Sequence, residues 1–150
     1  GVYKDKKGGC IMEVKRFDNK CIVRLDKGEE IIASLTKITK EYHIKCGSVT
    51  ALGATNEVVV GLFNTEEKKY YSKELKGDME ITSLVGNLST QNEEPYLHLH
   101  INVANGNQEV FGGHLNKCVI SATCEMFIDV IDADLDRKFD ESIGLNLMVF

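Results

Sequence analysis

The sequence contains no long apolar run, one proline and no close pair of cysteines. No segment approaches the roughly 20 apolar residues that a membrane-spanning helix needs, and the N-terminal residues show no stretch of the signal-peptide type. The odd number of cysteines and the absence of a C-x-x-C pair favour reduced thiols over a disulfide framework or a cysteine zinc site. We therefore expect a cytoplasmic protein with no membrane partner. The five scattered cysteines are Cys10, Cys21, Cys46, Cys118 and Cys124.

Signatures of nucleotide binding and of nucleophilic catalysis are also missing. The chain has no G-x-G-x-x-G, Walker or G-x-S-x-G motif, and no serine or cysteine stands out as a nucleophile. Glu125, inside the apolar run "ATCEMFI", is a candidate acid–base group or a supporting group beside a metal ligand, because buried acids are rare without a partner. The alternative is an outward-facing glutamate on a half-exposed strand.

The charge distribution counts against nucleic-acid binding by electrostatics alone. The 150 residues carry a net charge of −5. Residues 1–76 hold 15 basic and 11 acidic side chains, and residues 77–150 hold 3 basic and 12 acidic ones. A protein that depends on phosphate contacts needs a basic face, whereas the basic residues here are interleaved with acids. DNA is therefore a possible but disfavoured partner.

The N-terminal part predicts one strand followed by one amphipathic helix. "KCIVRLDKG" alternates apolar and other residues as a strand does. Asp26 and Glu29 have the spacing of a capping box, which predicts a helix start, and Gly47 is a plausible stop. The apolar stripe of this helix recurs at the helical spacing and consists of Ile31, Leu35, Ile38 and Tyr42.

From residue 48 onward the pattern is that of β-strands. Gly53 and Gly61 suggest bulged or bent strands, and residues 76–78 suggest the turn of a hairpin. The tail begins as an acidic loop and ends in a possible strand, "GLNLMVF". Residues 1–150 are thus expected to form a single α+β domain: a twisted, mainly antiparallel sheet or partial barrel with one main packed helix.

Three of the four histidines lie within residues 98–115, "HLHINVANGNQEVFGGHL". Side chains at positions i and i+2 of a strand share a face, so His98 and His100 point together. A third nitrogen from His114 on the neighbouring strand would complete a three-histidine site. Such a site leaves a fourth position open, as catalytic zinc centres do.

The length of the intervening loop decides whether His114 joins them. A two-residue loop would pair His114 with Leu97 and put it on the wrong face, unless a bulge at the double glycine corrected this. A three-residue loop would set His98 opposite His114 and His100 opposite Gly112. The alternative is a hairpin whose polar face happens to carry histidines. The fourth histidine, His43, is expected to interact with the dipole at the helix end.

Taken in order, "RLDKGEEIIASLTKITKEYHIKCGSVTALGATNEVVVGLF", "EITSLVGNLS", "PYLHLHINVANGNQEVFGGHL" and "SATCEMFIDV" resemble the plants-and-prokaryotes-conserved (PPC) domain family, in its stand-alone prokaryotic form. The resemblance runs from about Lys20 to Met148. It implies a compact α+β fold that assembles as a homotrimer. For prokaryotic members it also implies a metal site, carried here onto His98, His100 and His114, with zinc the favoured divalent ion.

Plant members of that family join the domain to AT-hook peptides, which bind A·T-rich minor grooves. An AT-hook needs an Arg-Gly-Arg-Pro core, and the one proline here, Pro95, follows Glu94. No residue of this chain inherits the DNA role.

Three functions are therefore compared. The first is a trimeric metalloprotein that binds a small ligand or performs metal-assisted chemistry. The second is a DNA-binding or regulatory module, and the third is a trimeric scaffold.

Overall fold

The computed structural model describes residues 2–4 and 10–150, and it describes side chains from Met12 onward. The side chain of Cys10 thus lies outside the described residues. Strands dominate the fold, and one helix is present in the described part, so the α+β expectation holds only in outline. The elements are β1 (Val2–Lys4), β2 (Cys10–Phe17), β3 (Lys20–Asp26), α1 (Ile31–Glu41), β4 (Gly47–Asn64), β5 (Lys69–Gln91), β6 (Glu94–Ala104), β7 (Val110–Val130), β8 (Asp136–Asp140) and β9 (Leu145–Val149).

Four strands close into a ring. The sheet runs in the order β1-β2-β3-β7-β4-β5-β8-β9, and β6 pairs with both β5 and β7. Strands β4, β5, β6 and β7 therefore enclose a partial ring, and the remaining strands extend the sheet on either side. All pairings are antiparallel except that of β5 with β8, which rests on a single parallel pair, Thr90 with Asp136. The predicted partial barrel is this ring rather than a complete barrel.

The helix begins later than the capping box predicts. Its N-cap is Glu30, whose carboxylate accepts the backbone N–H groups of Ile32 and Ala33, both at 2.9 Å. The same carboxylate accepts the N–H of Cys118 at 3.0 Å, which ties the helix start to β7. Glu29 instead accepts the N–H of Asp26 at 2.6 Å and so closes the turn before the helix. A glutamate serves as the cap because its carboxylate accepts backbone N–H groups of both the helix and β7.

The helix also ends earlier than Gly47. Ile44 donates its N–H to the Thr39 carbonyl at 2.9 Å, and His43 donates to Lys40 at 3.4 Å. His43 adopts the left-handed conformation, with φ of 54°. These features form a Schellman motif, which satisfies the last helical carbonyls. Gly47 is the first residue of β4 rather than the helix stop.

The apolar stripe of α1 packs into the core as predicted. Ile31, Leu35 and Ile38 are fully buried, and Tyr42 is half-buried against them. On β3 the alternation also holds, since the side chains of Cys21 and Leu25 are buried. Burial of an aliphatic side chain contributes about 1.5–3 kcal/mol relative to exposure, so this packing fixes the helix against the sheet.

The predicted hairpin turn at residues 76–78 is wrong. Strand β5 runs unbroken through this segment, and the chain turns earlier, between Asn64 and Lys69. The register shifts by one residue here, because Thr55 faces Met79 whereas Glu57 faces Lys76. Gly77 has φ of 106° and forms the bulge, since it adopts this conformation at no steric cost. Register also shifts around Gly53, which confirms the bulge predicted there.

The tail forms a hairpin. The strand predicted at its end is confirmed as β9, but the segment predicted as an acidic loop contains β8, which pairs with β9 from Asp136 to Asp140. Strand β8 was missed because Phe139 is the one apolar residue in "DRKFD". This hairpin borders the site described next.

Candidate metal site and adjoining cavity

Strand register brings the three histidines together on one face. His98 lies opposite Asn87 of β5, and His100 lies opposite His114 of β7. His114 in turn lies opposite Gly61 of β4. Residues directly opposite each other in an antiparallel pair project to the same side. The site therefore stands where all four strands of the ring meet.

Neither predicted loop length is correct. Ala104 pairs with Val110, so five residues connect β6 to β7. The three-residue loop predicts the correct face for His114, but it pairs His114 with His98 instead of His100, a shift of two residues. The double glycine forms no bulge, since Gly113 lies opposite Ile101 and Gly112 lies opposite Asn102.

The loop is longer because of one asparagine. Asn105 Oδ1 accepts the N–H groups of Asn107 at 2.9 Å and of Glu109 at 3.1 Å. The residue with positive φ is Gln108, at 63°, and not Gly106. An Asx turn thus replaces the tight turn that Asn-Gly usually signals.

The geometry of the three imidazoles suits a small cation. One ring nitrogen from each side chain lies within 4.8 Å of those from the other two. The ring centroids are 5.1 to 5.6 Å apart. Tetrahedral zinc with nitrogens at about 2.1 Å needs these atoms roughly 3.4 Å apart, a separation that small side-chain rotations reach. Within residues 12–150, no other cluster of three or more histidine, cysteine or acidic side chains meets this criterion.

Burial and nearby positive charge favour the neutral form of two of these imidazoles by lowering their pKa. Burial lowers the pKa of His98 below its ordinary value, and the positive charge of Arg137 and the two other histidines lower it further. Burial and the neighbouring His100 likewise lower the pKa of His114. Metal ions bind the neutral form of histidine, so both side chains are ready to ligate at neutral pH.

Gly61 makes room for an aromatic wall. A β-carbon at this position would overlap the ring of Tyr70, which crosses over the glycine. The Tyr70 ring meets His114 edge-on, with centroids 6.0 Å apart, and its hydroxyl donates to Asn116 Oδ1. The glycine therefore allows Tyr70 to cover one side of the histidine cluster.

A cavity of about 550 Å³ opens beside the histidines. Strands β4 and β5 form one side of the cavity, and β6 and β7 contribute the histidines. The β8–β9 hairpin forms the far side. Its lining consists of Gly61, Leu62, Phe63, Tyr70, Tyr96, His98, His100, Gly113, His114, Arg137, Leu145, Asn146 and Leu147.

Other residues singled out in the sequence lie elsewhere. Glu125 is exposed on β7, opposite Arg24 and Leu52, and the structure does not bring it to the histidines. This is the alternative of an outward-facing glutamate. His43 belongs to the helix end described above and is also absent from the cluster.

Sequence reasoning missed Arg137, Tyr70 and Tyr96 as site residues. One signal could have drawn attention to Arg137, because it is one of three basic residues in the acidic second half of the chain. The tyrosines carried no signal, since their position depends on the register of long strands.

Within the described part of the chain, no helix has the length and apolar character needed to cross a membrane.

Comparison with known proteins identifies the family. The model of the Plants and Prokaryotes Conserved (PCC) domain matches residues 12–132. The chain belongs to this family. The PCC match confirms the resemblance inferred from the ordered sequence blocks, and it ends four residues before β8 begins.

Two solved structures are similar over nearly the whole PCC chain. One, from Bacteroides thetaiotaomicron, is provisionally named a DNA-binding protein; it is 33% identical, with a TM-score of 0.91, over 93% of this chain and 98% of that one. The other, from Archaeoglobus fulgidus, is named a metal-containing protein; it is 32% identical, with a TM-score of 0.82, over 93% and 96% of the two chains.

A curated relative shares only part of its length with this chain. The bifunctional protein GlmU from a Synechococcus strain is 27% identical over 125 residues. The match spans 81% of this chain but 19% of the relative.

Proposed function

We propose that His98, His100 and His114 bind one divalent metal ion, zinc being favoured, and that the ion faces the adjoining cavity. The observation that carries the proposal is the convergence of three ring nitrogens within 4.8 Å. The name of the Archaeoglobus relative, a metal-containing protein, supports it. The protein then binds a small ligand in the cavity or performs metal-assisted chemistry on it.

The chain's own residues would prepare such a reaction. A bound divalent ion supplies Lewis-acid polarisation of a carbonyl or activation of water. His98, His100 and His114 would supply three ligand nitrogens to such an ion, and all three line the cavity. Leu62, Leu147 and the Tyr70 ring give the cavity an apolar lining against which a ligand would pack. No acidic side chain lines this cavity among the described residues, so a general base is not assigned to it.

We also propose that the protein assembles as a homotrimer, with the site near a subunit boundary. A row of exposed side chains crosses the outer face of β3, β7, β4 and β5. Ile22 pairs with Phe127, Thr50 pairs with both Phe127 and Val85, and Val85 pairs with His100. Phe127 and Val85 are each 58% exposed. Apart from Thr50 this exposed apolar row is of the kind found at interfaces, and it ends at the histidines.

Metal content tests the first proposal. The untagged protein is measured by elemental mass spectrometry beside a His98→Ala/His100→Ala variant. We expect about one ion per subunit in the parent and none in the variant. His43→Asn is the matched control, because asparagine tolerates the left-handed conformation and His43 lies outside the cluster. A parent that cannot be loaded, or a double variant that retains the ion, contradicts the proposal.

Light scattering tests the assembly. We expect three times the subunit mass for the parent and for the double histidine variant, and a smaller mass for Phe127→Lys, which places a charge in the exposed apolar row. Loss of assembly together with the metal in the histidine variant would assign a structural role to the ion. A monomeric parent overturns the trimer.

DNA binding is the second candidate, supported by the provisional name of the Bacteroides relative. An A·T-rich duplex is titrated with the protein across a range of salt concentrations. Salt-sensitive retardation of the duplex supports this candidate, because phosphate contacts release counterions. The absence of retardation at low salt removes it, and a metal-free trimer would then favour the scaffold function.

A further inference from the structure

Arg137 is held in a fixed position on the cavity wall. Its Nε donates to Ser89 Oγ at 2.8 Å, its Nη2 to Asn87 Oδ1 at 2.8 Å, and its Nη1 to the Asn146 carbonyl at 3.0 Å. The guanidinium also stacks over the ring of Tyr96, 4.7 Å from its centroid. Three anchors and a stacking contact remove most of the freedom of a long side chain.

Its position follows from the strand register. Asn87 pairs with His98, and Ser89 pairs with Tyr96, across β5 and β6. Opposite residues share a face, so Arg137 reaches from β8 onto the face that carries the histidines. It lies beside His98, whose pKa its positive charge helps to lower.

The charge of Arg137 has no acidic partner in the described part of the chain. All three acceptors are neutral, and none of the observed ion pairs includes this residue. Arg24, by contrast, contacts the carboxylates of Glu13 and Asp26. A guanidinium has five N–H donors, so Arg137 retains two, one on each Nη.

The cavity departs from the acidic character of the chain. Two other surface cavities of similar volume are lined by acids together with bases. One contains Glu93, Glu94, Asp134 and Asp136 beside Lys40 and Lys45, and the other contains Asp18, Asp132 and Asp134 beside Arg16 and Lys45. In the cavity beside the histidines, no described lining residue is acidic, although the second half of the chain carries 12 acids against 3 bases. A positive charge without an acidic partner in such a cavity favours the binding of an anion.

We propose that this cavity binds a small organic acid, with its carboxylate on the two remaining donors of Arg137 and its apolar part against Leu62, Leu145 and Leu147. This inference rests on the proposed metal site, since a divalent ion adds positive charge that the three neutral histidines do not cancel. It names the ligand class that the site accepts, and it assigns Arg137 as the residue that selects an acid over a neutral analogue.

The test uses butyrate as the probe and butyramide as its neutral analogue. Chemical-shift titration of the ¹⁵N-labelled, zinc-loaded protein gives the dissociation constants of the parent, Arg137→Gln and Lys138→Gln. The Lys138 variant removes the same charge from the next residue, which is exposed and does not line the cavity. We expect Arg137→Gln to weaken butyrate binding at least about tenfold, Lys138→Gln to leave it unchanged, and butyramide to bind all three weakly. Metal content is expected to be the same in all three.

Failure of this inference is distinguishable from failure of the metal site. Equal butyrate affinity in Arg137→Gln and the parent, or equal binding of butyrate and butyramide, overturns the inference while the metal content stands. A parent that takes up no metal overturns the metal site. Arg137-dependent butyrate binding by that metal-free protein still supports the acid subsite, and its absence overturns it. Inorganic phosphate that binds at the same Arg137-dependent site more tightly than butyrate overturns the choice of a carboxylate.

Discussion

The two faces of the β5–β6 pair differ in chemistry although the same two strands build both. One face carries Leu84, Leu88, Leu99 and Ile101, all about 1–2% exposed, and it forms the core. The other carries Asn87, Ser89, Tyr96, His98 and His100, which hold Arg137 and form the candidate site. A strand alternates its side chains with a period of two, so a rigid core lies directly behind each site residue. Rigid support of this kind fixes ligand geometry.

The largest difference between the faces should appear on truncation of Leu99. Leu99→Ala leaves a cavity in the packed core and should lower the free energy of unfolding by about 2–5 kcal/mol. Denaturant unfolding of the metal-free protein measures this. His98→Ala, one residue away on the other face, should cost less than about 1 kcal/mol. Equal losses in the two variants would show that the faces are not energetically distinct.

A smaller loss of stability is expected at Gly61, where the Tyr70 ring crosses the site face. Gly61→Ala places a β-carbon against the Tyr70 ring, which must leave His114 and its bond to Asn116. We expect a loss of about 1–2 kcal/mol. In a chain that already carries Tyr70→Ala, the added Gly61→Ala substitution should leave the free energy of unfolding almost unchanged. An unchanged cost in the double variant would mean that Tyr70 does not require the glycine.

The loop between β6 and β7, residues 105–109, should contribute less to the free energy of unfolding. Asn105→Ala removes the two hydrogen bonds that the Asn105 side chain accepts from the backbone N–H groups of Asn107 and Glu109 in the five-residue loop, and about 1 kcal/mol of the free energy of unfolding should be lost. Asn107→Ala is the control, because its side chain makes one long contact of 3.4 Å to Glu109. Thermal unfolding compares the two. A larger loss for Asn107 would contradict the assignment of the turn to Asn105.

The smallest expected effect is the chemical labelling of two thiols on the core face of β7. Burial raises the pKa of Cys118 to about 11 and that of Cys124 to about 12. Iodoacetamide reacts with the thiolate, so neither residue should be labelled in the folded protein at pH 8. Peptide mapping by mass spectrometry checks each cysteine, with the urea-unfolded protein as the control. Labelling of either residue at the unfolded rate would show that this face opens to solvent.

Sequence patterns predicted which residues share a face of a strand but not the register in which the strands pair. Alternation around His98 and His100 indicated that they point together, and the stripe of α1 indicated the buried side of the helix. The position of His114 depended on whether Asn105 forms a tight turn or an Asx turn, which the dipeptide Asn-Gly does not decide. Gly77 posed the same difficulty, since a glycine with positive φ serves a turn or a bulge equally well.

The place of Arg137 in the site could not be predicted for a different reason, although its charge stands out in the acidic second half of the chain. Its strand has one apolar residue, so hydrophobic periodicity gave no signal. Its neighbours Asn87 and Ser89 lie about 50 residues earlier in the chain, and local pattern carries no information about contacts at that separation.

The β8–β9 hairpin separates one wall of the cavity from the strands that carry the histidines. Its strand pairing with the ring is Thr90 with Asp136, and Arg137 and Asn146 add side-chain contacts to β5. The histidines belong to β6 and β7, which share long ladders with β5 and β4. Substitutions in the hairpin can therefore reshape that wall of the cavity while the three histidines and the ladders that position them stay in place.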